Sequence, residues 1–256
     1  MTLHCAFIGF GKSTTRYHLP YVLHRKDRWQ VAHIYRRRAK PEEQAPQYSH
    51  IHFTSDLDEV LNDPLVKLVV VCTHADSHFE YAKKALEAGK KVLVEKPFTP
   101  TLEEAKTLFA LANSKGLTVT PYQNRRFDSC FLTTKKVIES GKLGELVEIE
   151  SHFDNYRPLA ETNPGGPQNG EFYGLGGHTL DQIISLFGRP DHVSYDLRSL
   201  RNKANPDDTF EAQLFYGDMK AIVKTSHLVQ IDYPKFIVHA HKGSCVKDGI
   251  DQQQTS

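Results

Sequence analysis

The first apolar run of the chain ends in a way that leaves few options for the segment after it. Leu3-His4-Cys5-Ala6-Phe7-Ile8 stops abruptly at Gly9-Phe10-Gly11, the pattern of a buried parallel strand entering a tight turn. A helix is expected from about Ser13. A Gly-x-Gly turn between strand and helix lets the backbone approach a pyrophosphate, whose charge is met by the positive helix N-terminus. Phe10, Gly11, Lys12, Ser13 and Thr14 are therefore candidate dinucleotide contacts. Thr14 stands where the dinucleotide fingerprint has its third glycine, which implies looser packing of helix on strand or an accommodated hydroxyl.

The rest of the first half repeats this alternation. Val31 to Tyr35, Val66 to Cys72, Val92 to Val94 and Leu117 to Thr120 read as strands, the second of them apolar throughout, as when both sheet faces are covered. Between them, Ser77 to Gly89 places Phe79, Ala82, Ala85 and Leu86 on one helical face. Thr101-Leu102-Glu103-Glu104 has capping-box form and opens a helix that runs to Gly116. This succession predicts a doubly wound parallel sheet. The second half reads differently: a helix around Phe131 to Ser140 and then strand-like stretches at 146–153, 193–200, 210–216, 221–228 and 236–241. With few helices between them, they predict a mostly antiparallel sheet with one face open. The expected organisation is an α/β chain with a dinucleotide-binding domain over 1–121 and an α+β domain over 122–256, interrupted by a Pro/Gly/Asn-rich loop at 163–170.

Charge and composition exclude several classes. The 256 residues carry 32 Lys+Arg against 31 Asp+Glu, a net charge of +1, so no global field exists to hold nucleic acid or an anionic membrane. With 39% hydrophobic and 25% charged residues the chain is of globular type. No apolar run approaches the length of a membrane span, and the N-terminus lacks the features of a secretory signal; a cytoplasmic location is expected. The four cysteines are scattered without metal-ligand pairing, so reduced structural thiols and no metal are expected.

Two phosphate readings compete near the N-terminus. Gly11-Lys12-Ser13-Thr14 invites a phosphate-loop interpretation, but position 6, where that motif needs its first glycine, is Ala6. At the end of the second strand stand Arg36, Arg37 and Arg38, where an NAD-selective protein usually has an acidic residue; an arginine fork suits a 2′-phosphate and favours NADP(H) over NAD(H).

Further motifs in order are Thr73-x-x-x-x-His78, Ala85-Leu86-Glu87-Ala88-Gly89-Lys90 and Glu95-Lys96-Pro97. Together with Gly9-x-Gly11 they resemble the glucose-fructose oxidoreductase / inositol dehydrogenase family (Gfo/Idh/MocA), over essentially the whole chain. The stretch Tyr122 to Asp128 resembles the interdomain segment of its scyllo-inositol dehydrogenase-like branch. The resemblance implies an N-terminal Rossmann domain, a C-terminal open-faced sheet, and hydride exchange between a nicotinamide and a carbon of a sugar or cyclic polyol. It implies that Lys96 is the cation near the substrate oxygen and that Thr73, His74, His78, Glu95, Lys96 and Asn124 serve the cofactor, NADP or NAD. Arg125 and Tyr173 would serve the substrate.

The usual motif of the second domain is Asp-x-Gly-x-His-x-x-Asp, and this chain has Gly174-Leu175-Gly176-Gly177-His178-Thr179-Leu180-Asp181. His178 fits the catalytic base and also a substrate contact, and Asp181 can share its helical face. Gly174 replaces the first acidic residue, with Tyr173 next to it as a substitute; this leaves open an alternative, a dinucleotide-binding sensor without turnover. The resemblance further implies a homodimer through the open sheet face and a chain longer than this one.

Overall fold

The computed structural model describes residues 2–162 and 165–249. The polar tail from Gln252 and the first two residues of the 163–170 stretch lie outside the described residues; Pro167–Asn169 forms a short helical turn. The chain divides between Tyr122 and Gln123 into two compact units.

The strands of the first unit are β1 (Leu3–Ile8), β2 (Trp29–Tyr35), β3 (His52–Thr54), β4 (Val66–Val71), β5 (Lys91–Val94) and β6 (Val119–Pro121). They form a six-stranded sheet in the order β3-β2-β1-β4-β5-β6, with every pair parallel. This is the doubly wound order, in which the strand sequence reverses beside β1 and a ligand crevice opens at the carboxyl ends. Successive side chains point to opposite faces, so Cys5 and Phe7 join Leu19, Val31, Ile34 and Val70 in one buried cluster. Ala6 and Ile8 join Val69, Val71, Leu86, Val94 and Leu108 in another. Both faces are dry, which is why β1 and β4 are apolar almost without interruption.

The helices are α1 (Leu19–His24), α2 (Leu57–Asn62), α3 (His78–Glu87) and α4 (Leu102–Ser114). The capping box at the start of α4 is formed from both sides: Thr101 N donates to Glu104 Oε2 at 3.1 Å and Glu104 N to Thr101 Oγ1 at 3.3 Å. The sequence pattern does not announce β3 or α2. β3 is a three-residue edge strand, and α2 is short, with Asp56 capping it through Asp58 N at 2.9 Å.

The second unit contains α5 (Ser129–Glu139), β7 (Leu146–His152), α6 (Glu171–Gly174), α7 (Gly176–Phe187), β8 (His192–Arg198), β9 (Thr209–Tyr216), β10 (Met219–Ser226), β11 (Phe236–Ala240) and β12 (Gly243–Lys247). Its sheet runs β12-β11-β7-β10-β9-β8; only β7 and β10 pair in parallel, and the other pairs are antiparallel. One face is packed: Ile149, Ala212, Leu214, Val223 and Val238 cluster with Phe131 of α5 and Ile183 of α7. The other face is polar, with Lys220 paired to Glu148 at 2.7 Å and Lys224 to Glu211 at 3.1 Å.

One cation is sealed inside this unit. Lys235 is 2% exposed, its Nζ donates to Ser151 Oγ at 3.1 Å, and it lies against the rings of Phe153 and Phe236. Burial pushes its ammonium down to about 7. The four cysteines are free thiols, and no described helix is long and apolar enough to cross a membrane.

Candidate functional site

The glycine turn leaves β1 at Gly9, whose N–H donates to the Tyr35 carbonyl at 2.8 Å. Gly9 has φ +108°, and a Cβ there would come within 2.6 Å of the Cys72 carbonyl oxygen, so only glycine fits. Thr14 is fully buried and its Oγ1 donates to the Gly9 carbonyl at 2.8 Å. The hydroxyl at the third glycine position is thus folded into the turn and braces it, rather than offering itself to a ligand. The Phe10 ring is also buried, edge-on to Tyr48 and Phe53. A Cβ at Gly11 would meet no atom within 4 Å, so the approach to the turn is open. The helix after it winds wide over Ser13–His18 before α1 begins, a device common beside functional sites.

At the end of β2 the three arginines separate into different parts. Arg36 donates from Nε and Nη2 to both carboxylate oxygens of Glu43, at 2.7 and 2.9 Å, and holds that carboxyl below its usual range. Nε and Nη2 of its fork are thus paired within the protein. Arg37 and Arg38 are exposed. Lys40, which sequence reading missed, reaches the turn itself: Nζ donates to the Phe10 carbonyl at 2.6 Å. An open glycine cradle bordered by exposed cations fits a dinucleotide.

β5 leads into Glu95-Lys96-Pro97, where the Lys96-Pro97 peptide is cis. Glu95 is buried: its Oε1 accepts from His18 Nε2 at 2.9 Å and its Oε2 from Lys96 N at 3.1 Å. The His18 ring also packs on Tyr122, with centroids 4.3 Å apart. His78 is 1% exposed and its ring nitrogens face the carbonyls of Pro97 and Thr73 at 2.8 and 3.0 Å. It ties the two strand-end loops together through both ring nitrogens. Ser77 Oγ closes the same loop through Thr73 Oγ1 and the carbonyl of exposed His74, both at 2.8 Å.

His18, Cys72 and Glu95 bring their donor atoms within 4.8 Å of one another, the one such group among the described residues. Burial pushes the Cys72 thiol far up, and the Glu95 charge adds to this. The group is a hydrogen-bonded knot under Lys96.

In the second unit, His178 sits in the first turn of α7 and is largely buried. Its Nδ1 donates to Gln123 Oε1 at 3.2 Å, and Gln123 Nε2 donates to the Gly177 carbonyl at 3.4 Å. With Nδ1 as donor, Nε2 is the basic nitrogen of the neutral ring. Asp181 lies one turn further on, as its spacing predicts, but its carboxylate accepts Arg126 Nε and Nη2 at 2.6 and 2.7 Å. That pair clamps the Asn124–Phe127 turn to α7. Arg125 Nη1 donates to Asp128 at 2.8 Å, and its guanidinium covers the Phe153 ring at 4.7 Å. Asn124 and Tyr173 are half-buried, the latter edge-on to Phe172. A polar cavity of about 480 Å³ is bordered by Asn169, Glu171, Arg201, Asn205 and Asp207. Gln123 was within the Tyr122 to Asp128 stretch but not singled out; Lys40, His18 and Glu171 carried no local signal.

Residues 3–123 match the model of an oxidoreductase family with an NAD-binding Rossmann fold, and residues 135–256 match that family's C-terminal alpha/beta domain. The chain is 85% identical over all 256 residues to the uncharacterized oxidoreductase YhhX of Escherichia coli (strain K12), spanning 74% of it. It is 34% identical over 256 residues, 99% of this chain and 71% of the relative, to scyllo-inositol 2-dehydrogenase (NADP(+)) IolW of Bacillus subtilis (strain 168). Among solved structures, an oxidoreductase from Bacillus cereus superposes with a TM-score of 0.93 at 50% identity, covering 98% of this chain and 72% of that one. A parallel sheet in doubly wound order, a glycine turn with an open approach and a His-bearing helix on a second sheet agree with these matches: the chain belongs to the Gfo/Idh/MocA family of oxidoreductases and carries its NAD-binding Rossmann domain.

Proposed function

We propose that the protein exchanges a hydride between a nicotinamide dinucleotide, NADP(H) in preference to NAD(H), and a CH–OH carbon of a sugar or cyclic polyol. The observation that carries the cofactor preference is the end of β2. The acidic side chain there, Glu43, is neutralised by Arg36, and the exposed groups are Arg37, Arg38 and Lys40, a setting that suits a 2′-phosphate. The substrate class is supported by the likeness to the scyllo-inositol 2-dehydrogenase of Bacillus subtilis. When bound, the nicotinamide ring accepts or returns the hydride.

The protein's own groups handle the proton and the charge. In the oxidation direction the substrate hydroxyl gives its proton to His178 Nε2, while Gln123 holds the opposite nitrogen and so the ring orientation. Lys96 stabilises the negative charge that develops on the oxygen, and its backbone is fixed by Glu95. The test measures NADPH and NADH binding by fluorescence and turnover over a panel of inositols and sugars. NADPH is expected to bind at least ten-fold more tightly, and Lys96→Ala to retain binding while losing turnover. Full turnover by that variant overturns the assignment, and binding without turnover of any panel member by the unaltered protein favours the sensor alternative.

A further inference from the structure

The helical path before His178 holds a carboxylate that no motif marks. Leu175 has right-handed helical angles, φ −78° and ψ −34°, so α6 runs into α7 with little break. Residues spaced three, four and three apart then share one face, and on this face stand Glu171, Gly174, His178 and Asp181. The Glu171 side chain lies over Gly174: a Cβ at 174 would meet Glu171 Oε2 at 3.0 Å and its carboxyl carbon at 3.8 Å. The place beside Gly174, one helical turn from His178, is therefore filled by a carboxylate arriving from the preceding turn.

That carboxylate is fixed in position. Glu171 Oε1 stands 2.9 Å from Nε2 of His227, a ring 5% exposed, in a close electrostatic contact out of line for a hydrogen bond. The turn beneath is held by Asp207, which accepts Glu171 N at 3.0 Å on its carbonyl and Phe172 N at 2.7 Å on Oδ2. Glu171 also borders the polar cavity of about 480 Å³, together with Asn169, Arg201, Asn205 and Asp207.

We infer that Glu171 is a catalytic residue of this site: its ionised carboxylate accepts a hydrogen bond from a substrate hydroxyl adjoining the reacting one and orients that substrate against His178. The inference rests on the reaction proposed above. Glu171 transfers no proton; the proton goes to His178 and the hydride to the nicotinamide.

The experiment compares Glu171→Gln, Glu171→Ala and the double variant Glu171→Ala/Gly174→Asp, with scyllo-inositol and NADPH or NADP⁺ as probes. Three quantities are measured: kcat/KM, calorimetric affinity for scyllo-inositol in the presence of the nucleotide, and melting temperature. Loss of a hydrogen bond to a charged acceptor predicts a fall of about ten- to hundred-fold in affinity and kcat/KM for both single variants. The double variant, which returns a carboxylate to the same place, is expected to recover at least ten-fold. Unchanged kcat/KM and affinity in Glu171→Gln overturn the inference. So does a loss in Glu171→Ala that the double variant repairs in melting temperature but not in kcat/KM. An unaltered protein that turns over nothing removes the underlying reaction, and the inference falls with it.

Discussion

The two units fasten their proposed working side chains by opposite means. Under Lys96, His18 and Glu95 form a pair whose side chains are 6% and 7% exposed; beside His178, Arg126 and Asp181 form a two-pronged pair at 48% and 16%. The first is set in the dry interior of a sheet covered on both faces, where removal of one partner strands the other. The second lies at the water's edge, where solvent can take over for either member. The backbone before the cis Lys96-Pro97 peptide is held from inside. Helix α7 is held from outside by the Arg126–Asp181 pair, at small cost if the clamp loosens.

Three measurements can break or sharpen this contrast. The largest effect is expected for His18→Ala, which leaves the buried Glu95 carboxylate with one partner fewer and opens a hole against Tyr122. Urea denaturation of this variant should show a loss of about 3 kcal/mol; a loss under about 1 kcal/mol would mean that the interior pair behaves like the exterior one.

Next comes Lys235, the buried charge that has no carboxylate beside it at hydrogen-bond distance among the contacts described for its Nζ. Burial holds it at about 7 in the folded protein, against about 10.4 in the unfolded chain. Between those values the unfolded chain keeps a proton that the folded one lacks, so stability should rise with pH, by up to about 1.4 kcal/mol per pH unit. Below pH 7 both states are protonated and this slope vanishes. Lys235→Met should flatten the rise, and a slope that survives the substitution would assign it to other groups.

The smallest effect belongs to Arg126→Ala. Its exposed pair should contribute no more than about 1 kcal/mol, with the Asn124–Phe127 turn exchanging backbone amide hydrogens faster while α7 keeps its protection.

How much of this was readable beforehand depended on sequence distance. β1 and β4 were legible because both of their faces are buried, which leaves a continuous apolar signature, and α4 was legible because Thr101 and Glu104 cap it within four residues. β3, with only His52, Phe53 and Thr54, has no period to detect and exists because β2 offers it an edge. β12 follows β11 through a tight turn too short to stand out. In the site, the glycine turn and His178 announced themselves through adjacent residues. Their partners did not: His18 and Glu95 are 77 residues apart, and Gln123 and His178 55 apart. Arg36 carried a signal of type and place, yet only the fold revealed Glu43 across from it.

The charged face of the second sheet gives the chain a kind of freedom that its first sheet lacks. Each residue of β4 from Val69 to Val71 is buried on one side or the other, so drift there is confined to apolar side chains of similar volume. Across β7, β10 and β9, by contrast, Glu148 faces Lys220 and Lys224 faces Glu211 as neighbours in register. Such pairs can change sign together with almost no change in stability, provided both members change. Over evolutionary time this surface can be rewritten in coupled steps, so related proteins can share the fold and its chemistry while presenting quite different electrostatic faces.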